Sequence, residues 1–218
     1  MKIRSLLGAA WLVTLAANAT IHTTNWNSGF ANGGVVPDGN LSGWSDTRSV
    51  GTMPAGTLQG VAVNLQLSSG WTGDLYAYLT HSSGFAVLLN QAGTPGQPHG
   101  YGAANWNITL ADDGFNGGSY ANLHTYGGGN LSGSTWNGVD SLNSAFLSTS
   151  ANGMWSLFVA DLSVGGVTTV TGWGLQMDIV AVPEVETWVA AALAGAFGAF
   201  WLNRQIWKGV KPPPPDRS

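Results

Sequence analysis

The chain has 218 residues, with 32 glycines, 11 tryptophans, no cysteine and only 8% charged residues. So much aromatic content excludes a disordered chain, and the lack of cysteine excludes disulfides and thiolate chemistry. Between Thr20 and Pro183, eight acids (Asp38, Asp46, Asp74, Asp112, Asp113, Asp140, Asp161 and Asp178) face one base, Arg48, a net of −7. That balance excludes a nucleic-acid-binding domain, whose affinity rests on Lys and Arg against phosphates.

The chain opens MKIRSLLGAAWLVTLAANAT. Lys2 and Arg4 precede an apolar run from Leu6 to Ala16, and Ala17-Asn18-Ala19 is a small-x-small site. This predicts a signal peptide over 1–19, export, and a mature chain from Thr20. Residues 20–35 read as an N-terminal extension to a domain over 36–180.

Strand signals follow. Val61, Val63, Leu65 and Leu67 alternate with Ala62, Asn64 and Gln66. Leu75, Ala77 and Leu79 alternate with Tyr76, Tyr78 and Thr80. Phe85 to Leu89 is a short apolar run, and Trp106, Ile108 and Leu110 alternate with Asn107 and Thr109. Two more strands are written as Trp155-Leu157-Val159 and Trp173-Leu175-Met177. Period two is the mark of a half-buried strand, and Gly- and Ser-rich turns separate these runs. No segment of the domain has a helical period. The prediction is an all-β fold, a β-sandwich or jelly roll.

Trp106, Trp155 and Trp173 fall in phase with inward positions. Trp26, Trp44, Trp71 and Trp136 fall between the predicted strands, where an indole can stack on a sugar. The long loop from Asn116 to Ser144 carries Tyr120, His124, Tyr126 and Trp136. Tyr120, Tyr126 and Trp136 are the candidate ligand-binding residues, with a self-packed loop as the alternative.

Catalysis finds little footing. His22, His81, His99 and His124 meet no G-x-S-x-G elbow and no H-E-x-x-H pattern. His81 adjoins Ser82 and Ser83, but neighbours in a turn do not make a triad. Calcium has better candidates. Asp112 and Asp113 stand together at a strand end, and Asp74 and Asp161 sit where strands start and stop. Oxygen donors of this kind suit calcium, while turn bonds to the local backbone are the alternative.

The C-terminal end reads VPEVETWVAAALAGAFGAFWLNRQIWKGVK. Residues 181–186 form a linker, 187–207 a predicted transmembrane helix, and 208–218 a basic, Pro-rich tail. Sixteen residues from Thr187 to Leu202 are uncharged, with Trp188 and Trp201 near the ends and basic residues beyond. This end resembles the PEP-CTERM sorting signal of Gram-negative, exopolysaccharide-producing bacteria. Val182-Pro183-Glu184 matches, and Val185 stands where Pro is usual. The resemblance implies cell-surface export and processing by an exosortase; a plain membrane anchor is the fallback.

The middle resembles the P/Homo B domain of subtilisin-like proprotein convertases. Val36-Pro37-Asp38 is similar to its opening segment, and Gly73-Asp74-Leu75 with the following strand and Ser83-Gly84 to its core. Gly153-Met154-Trp155-Ser156-Leu157, Asp161 and Gly172-Trp173-Gly174-Leu175 are similar to its closing pattern. Gly166 stands where many members have an acid. The resemblance implies an eight-stranded, jelly-roll-like β-sandwich, galactose-binding-like in architecture, that accompanies a serine endopeptidase without itself being catalytic. The functional expectation is a non-enzymatic, exported binding or structural module. Its alternatives are an accessory subunit of a separate subtilisin-like protease and a matrix protein that binds extracellular polysaccharide.

Overall fold

The computed structural model describes residues 18–93, 105–126, 131–182 and 185–208. Nine strands are present among them, in two sheets. One sheet contains β1 (Ala19–Trp26), β3 (Gly56–Ser68), β6 (Trp106–Ala111), β7 (Thr135–Trp136) and β9 (Thr169–Ala181), in the order β1-β9-β3-β6-β7. The other contains β2 (Asn40–Val50), β4 (Leu75–His81), β5 (Gly84–Asn90) and β8 (Gly153–Asp161), in the order β2-β8-β4-β5. Every strand pair is antiparallel except β6 with β7. The architecture is an all-β sandwich.

The alternation in the sequence decides which face each strand buries. Leu75, Ala77 and Leu79 are fully buried on β4, and so are Trp155, Leu157 and Val159 on β8. Leu65 and Leu175 oppose them from the other sheet in the same core. Trp106, Trp155 and Trp173 lie in that core, as their phase predicts. Two of the three indoles place their N–H on an acceptor: Trp155 donates to Ala151 O at 2.9 Å, and Trp173 to Asp46 Oδ2 at 2.7 Å.

Three strands lie outside the six that periodicity picks out. β1 runs through the segment read as an extension, and it pairs with β9 along its whole length, from Ala19↔Val180 to Trp26↔Trp173. It is an edge strand with little apolar content, so its hydrogen bonds rather than its side chains hold it. β2 begins with a bulge between Asn40 and Trp44. Gly43 lies there at φ +57, and a Cβ on it would come within 2.6 Å of Val159 O. Left-handed backbone against a neighbouring strand admits only glycine. Beyond the bulge β2 turns Trp44, Asp46, Arg48 and Val50 toward the sandwich, a mixed pattern that hides the period. β7 is two residues long.

A short helix, α1 (Leu142–Phe146), follows β7 and buries Leu142 and Phe146. Ser141 caps it by accepting from Ser144 N at 3.0 Å.

The sandwich body ends at Ala181, and a second unit starts at Val182. Its helix α2 (Val185–Lys208) forms where the sequence predicts a spanning helix. Among the described residues, however, no helix is long and apolar enough to cross a membrane. The uncharged run of 16 residues rises about 24 Å as a helix, against about 30 Å of hydrocarbon. The transmembrane expectation is corrected accordingly. The leader up to Ala17, Pro183-Glu184 of the sorting motif and the tail from 209 lie outside the described residues.

Trp155 fills the middle of the core, with Phe146 edge-on at 5.1 Å and His81 stacked at 4.3 Å. Trp155→Ala is expected to cost roughly 3–5 kcal/mol, and Leu41→Ala, at 76% exposure, less than about 0.5 kcal/mol. Urea unfolding of the two variants beside the parent protein checks both.

Candidate functional site

An open groove of about 450 Å³ is lined by Asp112, Asp113, Asn122, Asn137, Asp140 and Asn143, with Gly138, Val139 and Ser141 between them. Asp112 and Asp113 follow the last residues of β6, and the others come from the long loop up to the start of α1. The loop comes back beside β6 because Thr135 and Trp136 pair in parallel with Thr109 and Leu110.

Asp112 is a clasp. Its Oδ2 accepts from Ser141 Oγ at 2.8 Å and Asn143 N at 2.7 Å, and its Oδ1 accepts from Leu142 N at 3.3 Å. Both oxygens thus hold the start of α1. Asp113 Oδ1 accepts from Tyr120 N at 2.7 Å and Asn137 Nδ2 at 3.3 Å. The side-chain partners of these two aspartates stand 7 to 31 residues away rather than in the local turn. Asp140 Oδ2 accepts from Val87 N at 2.9 Å.

Two oxygens in this groove stay unanswered. Asn137 Oδ1 and Asn143 Oδ1 are buried from solvent without a hydrogen-bond partner. The orientation of Asn137 is set by its nitrogen, which also donates to Tyr120 O at 2.9 Å. The groove offers carboxylates and amide oxygens and no cation. Arg48 is spent elsewhere: its Nε donates to Asp46 Oδ2 at 2.6 Å and its Nη2 to Ser28 O at 2.8 Å. Asp140, Asn137 and Asn143 were not singled out from the sequence. They stand 24 to 31 positions beyond Asp112 and Asp113, and no local spacing connects them.

A second acidic cluster closes one end of the four-stranded sheet. Leu75 and Asn40 both pair with Asp161, which brings Asp74 and Asp38 near it. Asp161 is 1% exposed and Asp74 is 4% exposed. Asp161 Oδ1 accepts from Ser163 N at 3.2 Å, while Oδ2 is buried without a partner. Burial holds this carboxyl above the ordinary range; Asp38 and Asp74 push the same way, against Ser163 N–H and the Gly39 backbone. Asp38 itself accepts from Gly165 N.

The expected aromatic contact surface is not assembled. Trp136 is 6% exposed and packs against Tyr126 at 4.5 Å. Its burial under the loop removes it as a stacking platform. Tyr120 donates its hydroxyl to Phe115 O at 2.7 Å and is partly buried. Trp26 tilts onto Trp173 at 4.4 Å, and Trp44 is 5% exposed, so of the four indoles read as lying in loops only Trp71 is well exposed.

His81 and Ser83 do meet: Nδ1 and Oγ lie 2.8 Å apart. The far nitrogen, Nε2, is buried without a hydrogen-bond partner, and among the described residues no carboxylate orients it. Burial lowers the pKa of this imidazole, with the Asn152 backbone opposing. A general base needs that third group, so the pair reads as a turn contact.

Comparison with known proteins adds little. No family model and no curated protein matches this chain. Among solved structures, it is similar to a complex of the Aeromonas sobria serine protease with its chaperone, at a TM-score of 0.46 and 15% identity, over 75% of this chain and 27% of that one. It is also similar to the serine protease of Aeromonas sobria, at 0.41 and 15% identity, over 74% of this chain and 27% of that one. This chain therefore matches only about a quarter of the length of either neighbour.

His124 gives the groove region a pH dependence. Asn90 N donates to its Nε2 at 3.0 Å, which requires a neutral ring, and burial lowers its pKa. The folded state therefore holds the neutral form, and the unfolded chain takes up a proton first as pH falls below about 6.5. Stability is full above that pH and declines on acidification toward the lowered pKa. His124→Gln, which keeps an acceptor and does not titrate, is expected to flatten this decline in melts between pH 7.5 and pH 5; an unchanged slope contradicts the assignment.

Proposed function

We propose that this chain is a non-catalytic, exported β-sandwich module that works by binding, with the Asp112–Asn143 groove as its docking site for a cationic segment of a protein partner. The observation that carries this is the groove's chemistry. Asp112, Asp113 and Asp140 line an open groove together with Asn122, Asn137 and Asn143, in a domain whose single base is already engaged. Such a surface is complementary to Lys and Arg side chains and hostile to anions.

The P/Homo B resemblance makes a separate subtilisin-like protease the first partner to test. Of the three resembling segments, the closing one lies within β8 and β9, the core one leads from a 3-10 turn into β4, and Val36-Pro37-Asp38 lies in the turn before β2. Export rests on the N-terminal leader pattern, and processing by an exosortase-type enzyme on the Val182-Pro183-Glu184 segment. The carbohydrate alternative loses its loop aromatics, because Trp136 and Trp44 are buried.

A labelled oligolysine peptide is expected to bind the full chain, more weakly as salt rises. Joint Asp113→Asn and Asp140→Asn replacement is expected to weaken it roughly three- to thirtyfold, the sum of two partly exposed charge contacts. Fluorescence anisotropy measures this; equal binding to the double variant sinks the groove assignment.

Calcium is a second reading, and it moves to the strand-end cluster. Asp161 Oδ2 is buried and donorless beside Asp74 and Asp38, which suits a hard cation. Among the described residues no three Asp, Glu, His or Cys side chains converge as a metal cage. The ion would complete its shell with main-chain oxygens and water. Chelation is then expected to lower Tm by several degrees, and Asp161→Asn to abolish that response. A Tm indifferent to added calcium and to chelator ends this reading.

A further inference from the structure

We propose that the outer face of the β2-β8-β4-β5 sheet binds an extended, uncharged polysaccharide chain. This proposal does not depend on the acidic groove, which adjoins the sheet at the β5 edge through Asp140.

The face is defined by strand register. Tyr78 on β4 pairs with Phe158 on β8, and Phe158 with Ser45 on β2. These positions alternate with the fully buried Leu79, Leu157 and Val159, so they lie on the side away from the core. Four rings meet there. Tyr78 stacks on Phe158 at 4.6 Å and 14°, tilts onto Phe85 at 4.9 Å, and meets Tyr76 edge-on at 6.1 Å. Phe85 is 50% exposed and Met154, on the same face of β8, 54%. A cluster of aromatic rings on the solvent side of a sheet is unusual unless something covers it.

Between the rings the side chains are hydroxylic. Thr47 Oγ1 and Ser156 Oγ lie 2.7 Å apart and exposed, and Thr80 continues the row from Ser156 on β4. The four strands contain three formally charged residues, Asp46, Arg48 and Asp161. All three point inward: Asp46 pairs with Leu157, Arg48 with Trp155, and Asp161 is buried. The four strands therefore bring no charge to the outer face, and Asp140, bonded to Val87 N, borders it at the β5 edge.

That neutrality selects the occupant. A charged partner would lose water from its charges here and find nothing to pair them with. A second copy would bring another domain of net −7 against the first. A neutral glycan has no such cost. Its hydroxyls exchange donors and acceptors with Ser and Thr, and its C–H faces pack on aromatic rings. The face is four strands wide, about 14 Å at a strand spacing of about 4.8 Å, which suits a run of sugar rings rather than one.

The test is affinity electrophoresis of the full chain in gels containing dextran, a β-linked glucan or mannan, with alginate as the acidic control. Retardation is expected in at least one neutral gel. Tyr78→Ala and Phe158→Ala are expected to weaken it roughly two- to tenfold each, from the usual range for aromatic contacts. Phe85→Ser, at the exposed edge strand, supplies a variant whose fold is not in question, and thermal melts verify all three. Asp113→Asn is expected to leave retardation unchanged, which separates this face from the groove. Retardation in no neutral gel, or in alginate alone, overturns the proposal. So does a dimer in sedimentation that Phe158→Ala dissolves without any glycan binding, since the face then belongs to a second copy.

Discussion

Three indoles have to be buried between two sheets that have almost no charge to spare. The indole N–H groups of Trp155 and Trp173 each take an acceptor, and the acceptor of Trp173 is a carboxylate, Asp46. A carboxylate at the core boundary needs a counter-charge, and Arg48 supplies it at 2.6 Å, with Asp46 and Arg48 side chains 10% and 23% exposed. The single base of the domain is thereby committed to packing. Removing either partner would leave the other charge desolvated, so the pair also holds β2 against the opposite sheet.

Every other aspartate then has to find neutral partners. Asp112 finds the start of α1, Asp113 finds Tyr120 N and Asn137, and Asp38 finds Gly165 N. Asp161 finds Ser163 N for one oxygen and nothing for the other. The acidic groove and the acidic strand end are consequences of the same shortage. A domain that has spent its cation on its core shows carboxylates at its loops, and these become the places where a cation-bearing partner or an ion gains most. The outer sheet face has the opposite character. Its inward-facing charges leave it neutral, and its exposed positions are filled with aromatic and hydroxyl groups.

Much of the sandwich was legible from side-chain period. The inward residues of β3, β4, β6, β8 and β9 are those that alternate in the sequence, and all three in-phase tryptophans are core. β1 and β2 escaped because edge strands are held by main-chain bonds and tolerate polar side chains. On β2 the inward Asp46 and Arg48 look like surface residues until their partners are seen. Trp136 was misread for a related reason: it lies in a Gly- and Ser-rich loop, but that loop folds over β6 and buries the ring. Tyr76 and Tyr78 were visible as the polar half of a strand, yet nothing in that half showed Phe158 and Phe85 arriving beside them.

By itself the sequence determined the all-β class, the core-facing half of most strands, the acid excess and the absence of a recognisable catalytic motif. These follow from composition and from a period of two, which are properties of neighbouring residues. Only the tertiary structure decided that Asp112 clasps the start of a helix, that Asp113 and Asp140 share a groove, and that four aromatic rings share one outer face. Those are meetings of residues up to about a hundred positions apart, set by strand order and register, and no local pattern encodes them.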